Sequence, residues 1–213
     1  PTRSASGRSA TSSDMILVVA WDGADLGLVE PWIASGDLPV LAALLERGAV
    51  RRLESTRPPV TFPAWTTFLT AATPDRHAVS DFTLRDGYRV RFANASDRRL
   101  QTIFARMSAA GLRVGTYAVP GTYPPESLSA FQVPGFDTPF GASPDARTTH
   151  PADLARRLLD RYGTLAVEGP SQARIDDRWH RAALSKMLAT IDERTRVFAD
   201  LLAEEALDCA MIH

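Results

Sequence analysis

The feature that most constrains this chain is an uninterrupted apolar run, Met15 to Trp21, that ends abruptly at Asp22 and Gly23. The run is rich in branched side chains, which favour extended backbone. A continuous apolar segment of this kind is typical of a strand that is buried on both faces, as in a parallel sheet. We therefore predict such a strand, with the Asp22 carboxylate just past its end.

Helical and extended patterns alternate along the rest of the chain. Helices are predicted over Leu26–Ala34 (with Pro31 kinking it or starting a second helix), Pro39–Arg47, Pro63–Ala71, Leu100–Ala110, Pro151–Tyr162 and Asp177–Glu205. Strands are predicted over Ala49–Leu53, Arg113–Val119 and Leu207–Ile212, with a hairpin around Asp86–Gly87 and a long loop over 120–139 that holds at most a short strand at Phe131–Val133. This alternation predicts an α/β fold with a mostly parallel sheet.

Composition excludes several functional classes. The chain has 213 residues, 45% of them hydrophobic and 23% charged, which is ordinary for a soluble globular protein. Its formal net charge of -1 argues against a basic surface for nucleic acid. The single cysteine, Cys209, rules out an internal disulfide and is expected to be a buried thiol.

The N-terminal residues 1–14 are rich in serine and arginine and lack the apolar centre of a secretory signal. We interpret them as a flexible leader, followed by one domain from residue 15 to residue 213. No apolar stretch is long enough to span a bilayer, so neither a membrane nor a secretory route is expected. A cytoplasmic location follows as the expectation.

Two residues are candidates for chemistry, Asp22 and Thr61. The sequence contains no GxxxxGK[ST], GxGxxG, HExxH or GxSxG motif. A carboxylate just past a strand can bind a divalent cation, and a hydroxyl at a helix start lies at the positive end of the helix dipole, which favours an alkoxide and a bound phosphoryl group. The residues alone also allow Asp22–Gly23 to be an ordinary turn and Thr61 to be an N-cap.

A resemblance favours the chemical interpretation. The segments Val18–Gly23, Ser55–Trp65 and Thr73–His77, in this order, resemble the nucleotide pyrophosphatase/phosphodiesterase branch of the alkaline phosphatase superfamily. Val119–Glu126 and Val133–Pro139 resemble a subgroup of its bacterial members. The resemblance runs from Met15 to the end and implies a doubly wound sheet with helices on both faces, here the N-terminal part of a catalytic domain and incomplete at the C-terminus.

What the resemblance implies for the site is a pair of divalent metal ions, usually zinc, with manganese or magnesium as alternatives. Asp22 matches a metal ligand, and Thr61 matches the nucleophile, which also binds a metal and forms a phospho-enzyme intermediate. The remaining ligands are expected beyond His213, in a C-terminal segment or a partner chain. The chain alone is therefore expected to be inactive, and the substrate to be a small phosphate ester or a nucleotide-like compound.

The chain departs from the family pattern at two places, and two of its histidines match family positions. Family members carry an asparagine that donates to a phosphoryl oxygen, but Phe82 or its neighbour Asp81 stands there in this chain. The other departure is the absence of the later metal ligands. His77 matches a structural histidine that bonds within the fold, and His213 matches a position shortly before a ligand aspartate.

Three functions remain open at this stage. The first is a phosphodiesterase or nucleotide pyrophosphatase with Thr61 as nucleophile. The second is an inactive homologue or fragment that acts as a binding module. The third, a sulfate or phosphonate ester hydrolase on the same scaffold, is less favoured because sulfatases usually need a cysteine or serine where Thr61 stands.

Overall fold

The computed structural model describes residues 15–139, 148–167 and 177–213, with the backbone alone for 177 and 178, so the predicted leader lies outside the described residues. The strands are β1 Ile16–Val19, β2 Thr83–Asp86, β3 Arg89–Phe92, β4 Val114–Val119, β5 Phe131–Pro134 and β6 Cys209–Ile212. The helices are α1 Leu26–Ala34, α2 Pro39–Arg47, α3 Thr61–Thr70, α4 Pro74–His77, α5 Ile103–Ala109, α6 Leu154–Tyr162 and α7 Asp177–Glu204, with a 3-10 turn at Ala95–Asp97.

The central sheet has the strand order β1-β6-β4-β5, and all of its pairings are parallel. Val19 is aligned with Ile212, and Ile212 with Tyr117, so the carboxyl ends of these strands meet at one edge. The short strand expected near Phe131 is β5 and belongs to this sheet. In open α/β sheets this carboxyl edge is where ligands bind.

Helices cover both faces of the sheet, as the resemblance implies. On one face, Leu69 of α3 and Phe104 of α5 pack with Met211 in a buried cluster. On the other face, Leu158 of α6 and Phe198 of α7 pack in a second cluster. Cys209 lies in the first cluster and is 2% exposed, which confirms the buried thiol.

Strand β1 differs from its prediction. Ile16, Leu17 and Val19 are 59%, 48% and 60% exposed, whereas burial on both faces was expected. The reason is that β1 is an edge strand in the described structure: it pairs with β6 on one side only. Burial of a strand depends on its neighbours, which a local apolar run does not specify.

The predicted strand Ala49–Leu53 is wrong. The segment is irregular and exposed, and the Leu53 side chain is 86% exposed. A strand persists only where a partner satisfies its backbone groups, and no described strand pairs with this segment. The predicted hairpin, in contrast, is confirmed as the antiparallel pair β2–β3.

Two helices begin at residues other than the predicted ones, because the residues at their starts determine the first turn. Helix α3 begins at Thr61 rather than at Pro63. A proline is tolerated there because first-turn amides have no partner within the helix. Helix α5 begins after Thr102, whose Oγ1 accepts from the Ala105 amide at 3.0 Å, so it starts later than predicted. Helix α1 continues through Pro31.

No single helix among the described residues is long and apolar enough to cross a lipid bilayer. Helices α1 and α2 together reach the required length and composition, but they are bent by 101° at the break between them.

Candidate active site

Asp22 lies in the turn that follows β1, and Gly23 in the same turn has φ +69°, a conformation that suits glycine. The cap of the next helix is a different carboxylate, because Asp25 accepts from the Gly27 amide at 2.7 Å. Asp22 is exposed, and its side chain makes no hydrogen bond with another described residue. Asp22 thus lies in a turn, as the interpretation of Asp22–Gly23 as an ordinary turn predicted. Its carboxylate is nevertheless exposed and can bind a cation.

Thr61 is the first residue of α3, and the N-cap is Val60, which has no side chain that could cap. The N-cap interpretation of Thr61 is therefore wrong. The side chain of the half-buried Thr61 makes no hydrogen bond with another described residue. A hydroxyl in the first turn of a helix lies at the end where backbone amides lack partners within the helix and the helix dipole is positive.

The end of β6 connects the surroundings of the two candidates. Trp65, one turn after Thr61 in α3, packs edge-on against the His213 ring with centroids 5.0 Å apart. His213 follows β6, and its backbone amide donates to Tyr117 O at 3.1 Å. Asp22 and His213 line one cleft, which Thr61 does not line. The structure thus places Asp22 in the same cleft as His213 and places the helix of Thr61 against His213 through Trp65, and no hydrogen bond joins Asp22 to Thr61.

The charges around His213 oppose one another. Burial and the Arg194 guanidinium lower the pKa of His213 below its ordinary value, and the Asp22 carboxylate counteracts this shift. Arg194 Nη1 also donates to His213 O at 2.7 Å. His213 is therefore held through its backbone and is biased toward the neutral imidazole.

The cleft beside Asp22 has a volume of about 670 Å³ and lies between β1, the end of β6 and α7. Most of its lining is apolar, including Val19, Ile191 and Phe198. Its polar lining includes Arg194, which the sequence did not single out, because α7 reads as an ordinary amphipathic helix. Arg194 becomes a candidate only in the folded structure, which shows that it is half-buried among apolar side chains.

His77 has the structural role that its motif suggested. It is 0% exposed, and the Val79 amide donates to its Nδ1 at 3.2 Å. The ring proton is thereby assigned to Nε2, which donates to Thr67 Oγ1 of α3 at 2.9 Å. Burial, followed by the charge of Arg98, lowers the pKa of His77. These bonds tie α4 to the helix that begins at Thr61 and confirm hydrogen bonding within the fold.

Phe82, which stands where the resemblance implies an asparagine donor, belongs to an aromatic cluster. Phe82 packs against Phe62 with ring centroids 4.6 Å apart, and Phe62 stacks on Phe136 at 5.8 Å. The Asp81 carboxylate accepts from the Phe82 amide that follows it. Phe82 is thus committed to packing, and neither residue offers the amide side chain that relatives have.

The two loops that follow β4 and β5 form one unit. The half-buried Asp137 carboxylate accepts from the backbone amides of Gly121 and Tyr123, each at 3.1 Å, and desolvation raises its pKa. Gly135 donates to Val119 O, and a Cβ at Gly135 would come within 2.7 Å of that oxygen. The sequence showed both segments as motifs but did not show that the second one fixes the first.

The donors for a metal ion are few in the described residues. No group of three or more His, Cys, Asp or Glu side chains gathers in the part of the chain that the structure describes. The Asp22 carboxylate and the Thr61 hydroxyl are oxygen donors of a kind that suits zinc, manganese or magnesium. They fit a metal site chemically but supply too few ligands for two ions.

Comparison with solved structures supports the fold. Two crystal structures of phosphonoacetate hydrolase from Sinorhizobium meliloti 1021 are similar to this chain, one in complex with phosphonoformate (TM-score 0.58, 22% identity) and one in complex with phosphonoacetate (TM-score 0.57, 21% identity). Each alignment covers 92% of this chain and 45% of the solved chain, so the chain spans less than half the length of these relatives. A search of curated protein sequences finds no significant match.

The family assignment comes from the sequence profile. The model of the type I phosphodiesterase / nucleotide pyrophosphatase family matches residues 16–208, which is nearly the whole chain. The match includes both Asp22 and Thr61, and it agrees with the parallel sheet and with the likeness of the fold to the solved structures. The chain belongs to the type I phosphodiesterase/nucleotide pyrophosphatase family.

Proposed function

We propose that this chain carries the nucleophile of a metal-dependent phosphoric ester hydrolase that acts on a phosphodiester or a nucleotide-like pyrophosphate. The observation that carries the proposal is the position of Thr61: its hydroxyl lies at the start of α3, caps nothing and bonds to no described residue. Helix starts favour bound phosphoryl groups because their amides are unsatisfied and the dipole is positive there. Family membership agrees with this assignment.

The reaction that fits this position has two steps. In the first, the Thr61 hydroxyl loses its proton to solvent, and Oγ forms a bond to phosphorus while the bond from phosphorus to the leaving ester oxygen breaks; the leaving oxygen takes up a proton, and Thr61 carries a phosphoryl group that keeps the second ester substituent. In the second, water attacks phosphorus, the Oγ–P bond breaks, and a proton released by the attacking water restores the Thr61 hydroxyl. The α3 dipole stabilises the Thr61 alkoxide in both steps.

Asp22 and Thr61 are proposed ligands of a divalent metal ion, most simply zinc, with manganese or magnesium as alternatives. Bound metal supplies Lewis-acid stabilisation of the alkoxide and of the leaving oxygen. Since two oxygen donors cannot hold two ions, we propose that the remaining ligands come from a segment beyond residue 213 or from a partner chain.

The proposal is tested with the full-length protein loaded with Zn²⁺. The expected results are turnover of bis-p-nitrophenyl phosphate, two metal ions per chain by elemental analysis, and a Thr61 peptide that carries a p-nitrophenyl phosphoryl group, found by mass spectrometry after an acid quench. Turnover without any adduct at Thr61 would contradict the nucleophile assignment. No bound metal and no turnover would favour the alternative of an inactive homologue that acts as a binding module.

A phosphonate hydrolase is a second candidate, and one comparison favours it. The solved structures that resemble this chain are of a phosphonoacetate hydrolase. Phe82, which is partly buried against Phe62, also departs from the asparagine donor that the resemblance to phosphodiesterases implies. Phosphate release from phosphonoacetate, measured beside diester turnover, separates the two activities. A sulfatase is disfavoured because Thr61 does not offer the cysteine or serine that formylglycine formation usually requires.

A further inference from the structure

Arg194 is a half-buried cation on α7 that has no acidic partner among the described residues. Other arginines near α7 are paired, for example Arg161 with Asp200 and with Glu204. In the described part of the chain, no Asp or Glu side chain forms an ion pair with Arg194. Burial lowers the pKa of Arg194, which expresses the cost of holding a charge among apolar side chains. Buried charges in proteins are normally paired.

Two backbone carbonyls fix the orientation of the Arg194 guanidinium. Nε donates to Ala166 O at 2.9 Å, and Nη1 donates to His213 O at 2.7 Å. Nη2 makes no hydrogen bond with any described residue and is not a buried unsatisfied atom, so solvent or a ligand can reach it. A rigid guanidinium with an unused donor is suited to an oxyanion because its planar fork matches carboxylate and phosphate.

The location of Arg194 connects it to the proposed reaction. It lines the same cleft as Asp22, and His213 responds to the charges of both residues. Arg194 lies on α7, on the opposite face of the sheet from α3, which carries Thr61. A group bound by Arg194 therefore lies on the side of the sheet opposite to the helix of Thr61, in the cleft that Asp22 also lines. The low polarity of the cleft strengthens any charge pair formed there.

We propose that Arg194 binds a second anionic group of the substrate, such as a carboxylate or a further phosphate, at the mouth of the cleft beside Asp22. This inference rests on the proposed hydrolase function and narrows its substrate class to esters with an additional negative charge. The alternative is that Arg194 only ties α7 to the end of β6 and to Ala166. That role requires Nε and Nη1 but gives no selectivity between substrates.

The experiment uses two substrates that differ by one charge. They are a p-nitrophenyl phosphodiester whose second ester group is carboxymethyl, and the same diester with its carboxylate methylated. For the full-length, zinc-loaded protein, kcat/KM should be higher for the charged diester by roughly tenfold or more, the effect of a partly desolvated ion pair. Arg194→Gln should remove this preference and leave kcat/KM for the methylated diester within about threefold.

Arg196→Gln is the matched control, because it removes the same charge from α7 at a residue that lies over the Tyr162 ring. It should keep the preference. Partial misfolding lowers the rates on both diesters together, so the ratio of the two kcat/KM values remains informative. If Arg194→Gln does not fold, Arg194→Lys is the second variant. It keeps the charge but not the planar guanidinium, and it should reduce the preference at least about threefold. If Arg194→Gln and Arg194→Lys lose the same factor on both diesters, or keep the wild-type ratio of the two kcat/KM values, the inference is overturned. Turnover by the wild type would still uphold the proposed hydrolase in that case. No wild-type turnover of either diester overturns both.

Discussion

Trp65 packs edge-on against His213, with ring centroids 5.0 Å apart, and this contact joins the helix of the proposed nucleophile to the carboxyl end of β6. Thr61 lies one turn before Trp65, and Asp22 shares a cleft with His213. The contact thus links the helix that begins with Thr61 to the strand end that borders the Asp22 cleft.

Replacing Thr61 with alanine should abolish hydrolysis of bis-p-nitrophenyl phosphate by the full-length protein while the fold is kept. A covalent nucleophile contributes several orders of magnitude, so a loss of at least about 1,000-fold in kcat is expected. Thr61→Ser keeps the hydroxyl and should keep measurable activity. The measurement is steady-state kinetics, with circular dichroism to check folding.

Thr70→Ala is the control for that variant. It removes a hydroxyl from the same helix, where Thr70 Oγ1 donates to Thr66 O at 2.7 Å, far from the helix start. The rate should stay within about threefold of wild type, because only a net stability contribution of about 1 kcal/mol is lost. If Thr61→Ala retains more than about a tenth of the wild-type rate, Thr61 is not the nucleophile.

Asp22→Asn should weaken metal binding much more than it weakens folding. The amide keeps the shape of the side chain but removes the negative charge that offsets the cations. We expect at least about a tenfold loss of metal affinity, measured by elemental analysis after dialysis against graded chelator. Asp25→Asn removes the same charge from the same turn and preserves the cap, because asparagine also caps helices. Equal metal content in all three proteins would refute the ligand role.

His77 should make the folded state sensitive to mild acid. Burial and the charge of Arg98 lower the pKa of His77 in the folded state below its unfolded value of 6.5. The folded state is therefore most stable at a pH above 6.5, where the ring is neutral in both states. This stability is lost as the pH falls below 6.5 toward the folded pKa. Urea unfolding of wild type should show a loss between about pH 7 and about pH 5 that is smaller in His77→Gln. His180→Gln, at an exposed site, should retain the wild-type dependence. Identical pH dependence in wild type and His77→Gln would contradict the assignment.

Residues 1–213 expressed alone should be catalytically dead. A two-metal site needs about three protein ligands for each ion, and Asp22 and Thr61 are the only matches to family ligands in this chain. Exposed apolar side chains on β1, such as Ile16 and Val19, should also promote association. The test adds excess zinc or manganese and measures turnover and metal stoichiometry. Turnover comparable to that of a longer relative would show that the whole site lies within these residues.

The sequence determined the features that short-range physics controls. The turn residues Asp86–Gly87 specify the β2–β3 hairpin, because glycine allows the positive φ of 60° found there. The apolar run before Asp22 places that carboxylate just past a strand, and the alternation of strands with helices gives a mostly parallel sheet. Thr61 could be proposed as a candidate nucleophile from its motif, because neighbouring residues carry the resemblance.

Tertiary structure alone decided which segments meet. The apolar pattern of β1 could not show that it lies at the edge of the described sheet. The pattern at Ala49–Leu53 could not show that no described strand pairs with it, because pairing depends on distant segments. Arg194 reads as one charge among many on α7 until packing against β6 half-buries it beside Asp22. The cost of a buried charge arises only when distant chain segments exclude water together, so the sequence alone could not assign Arg194 to the site.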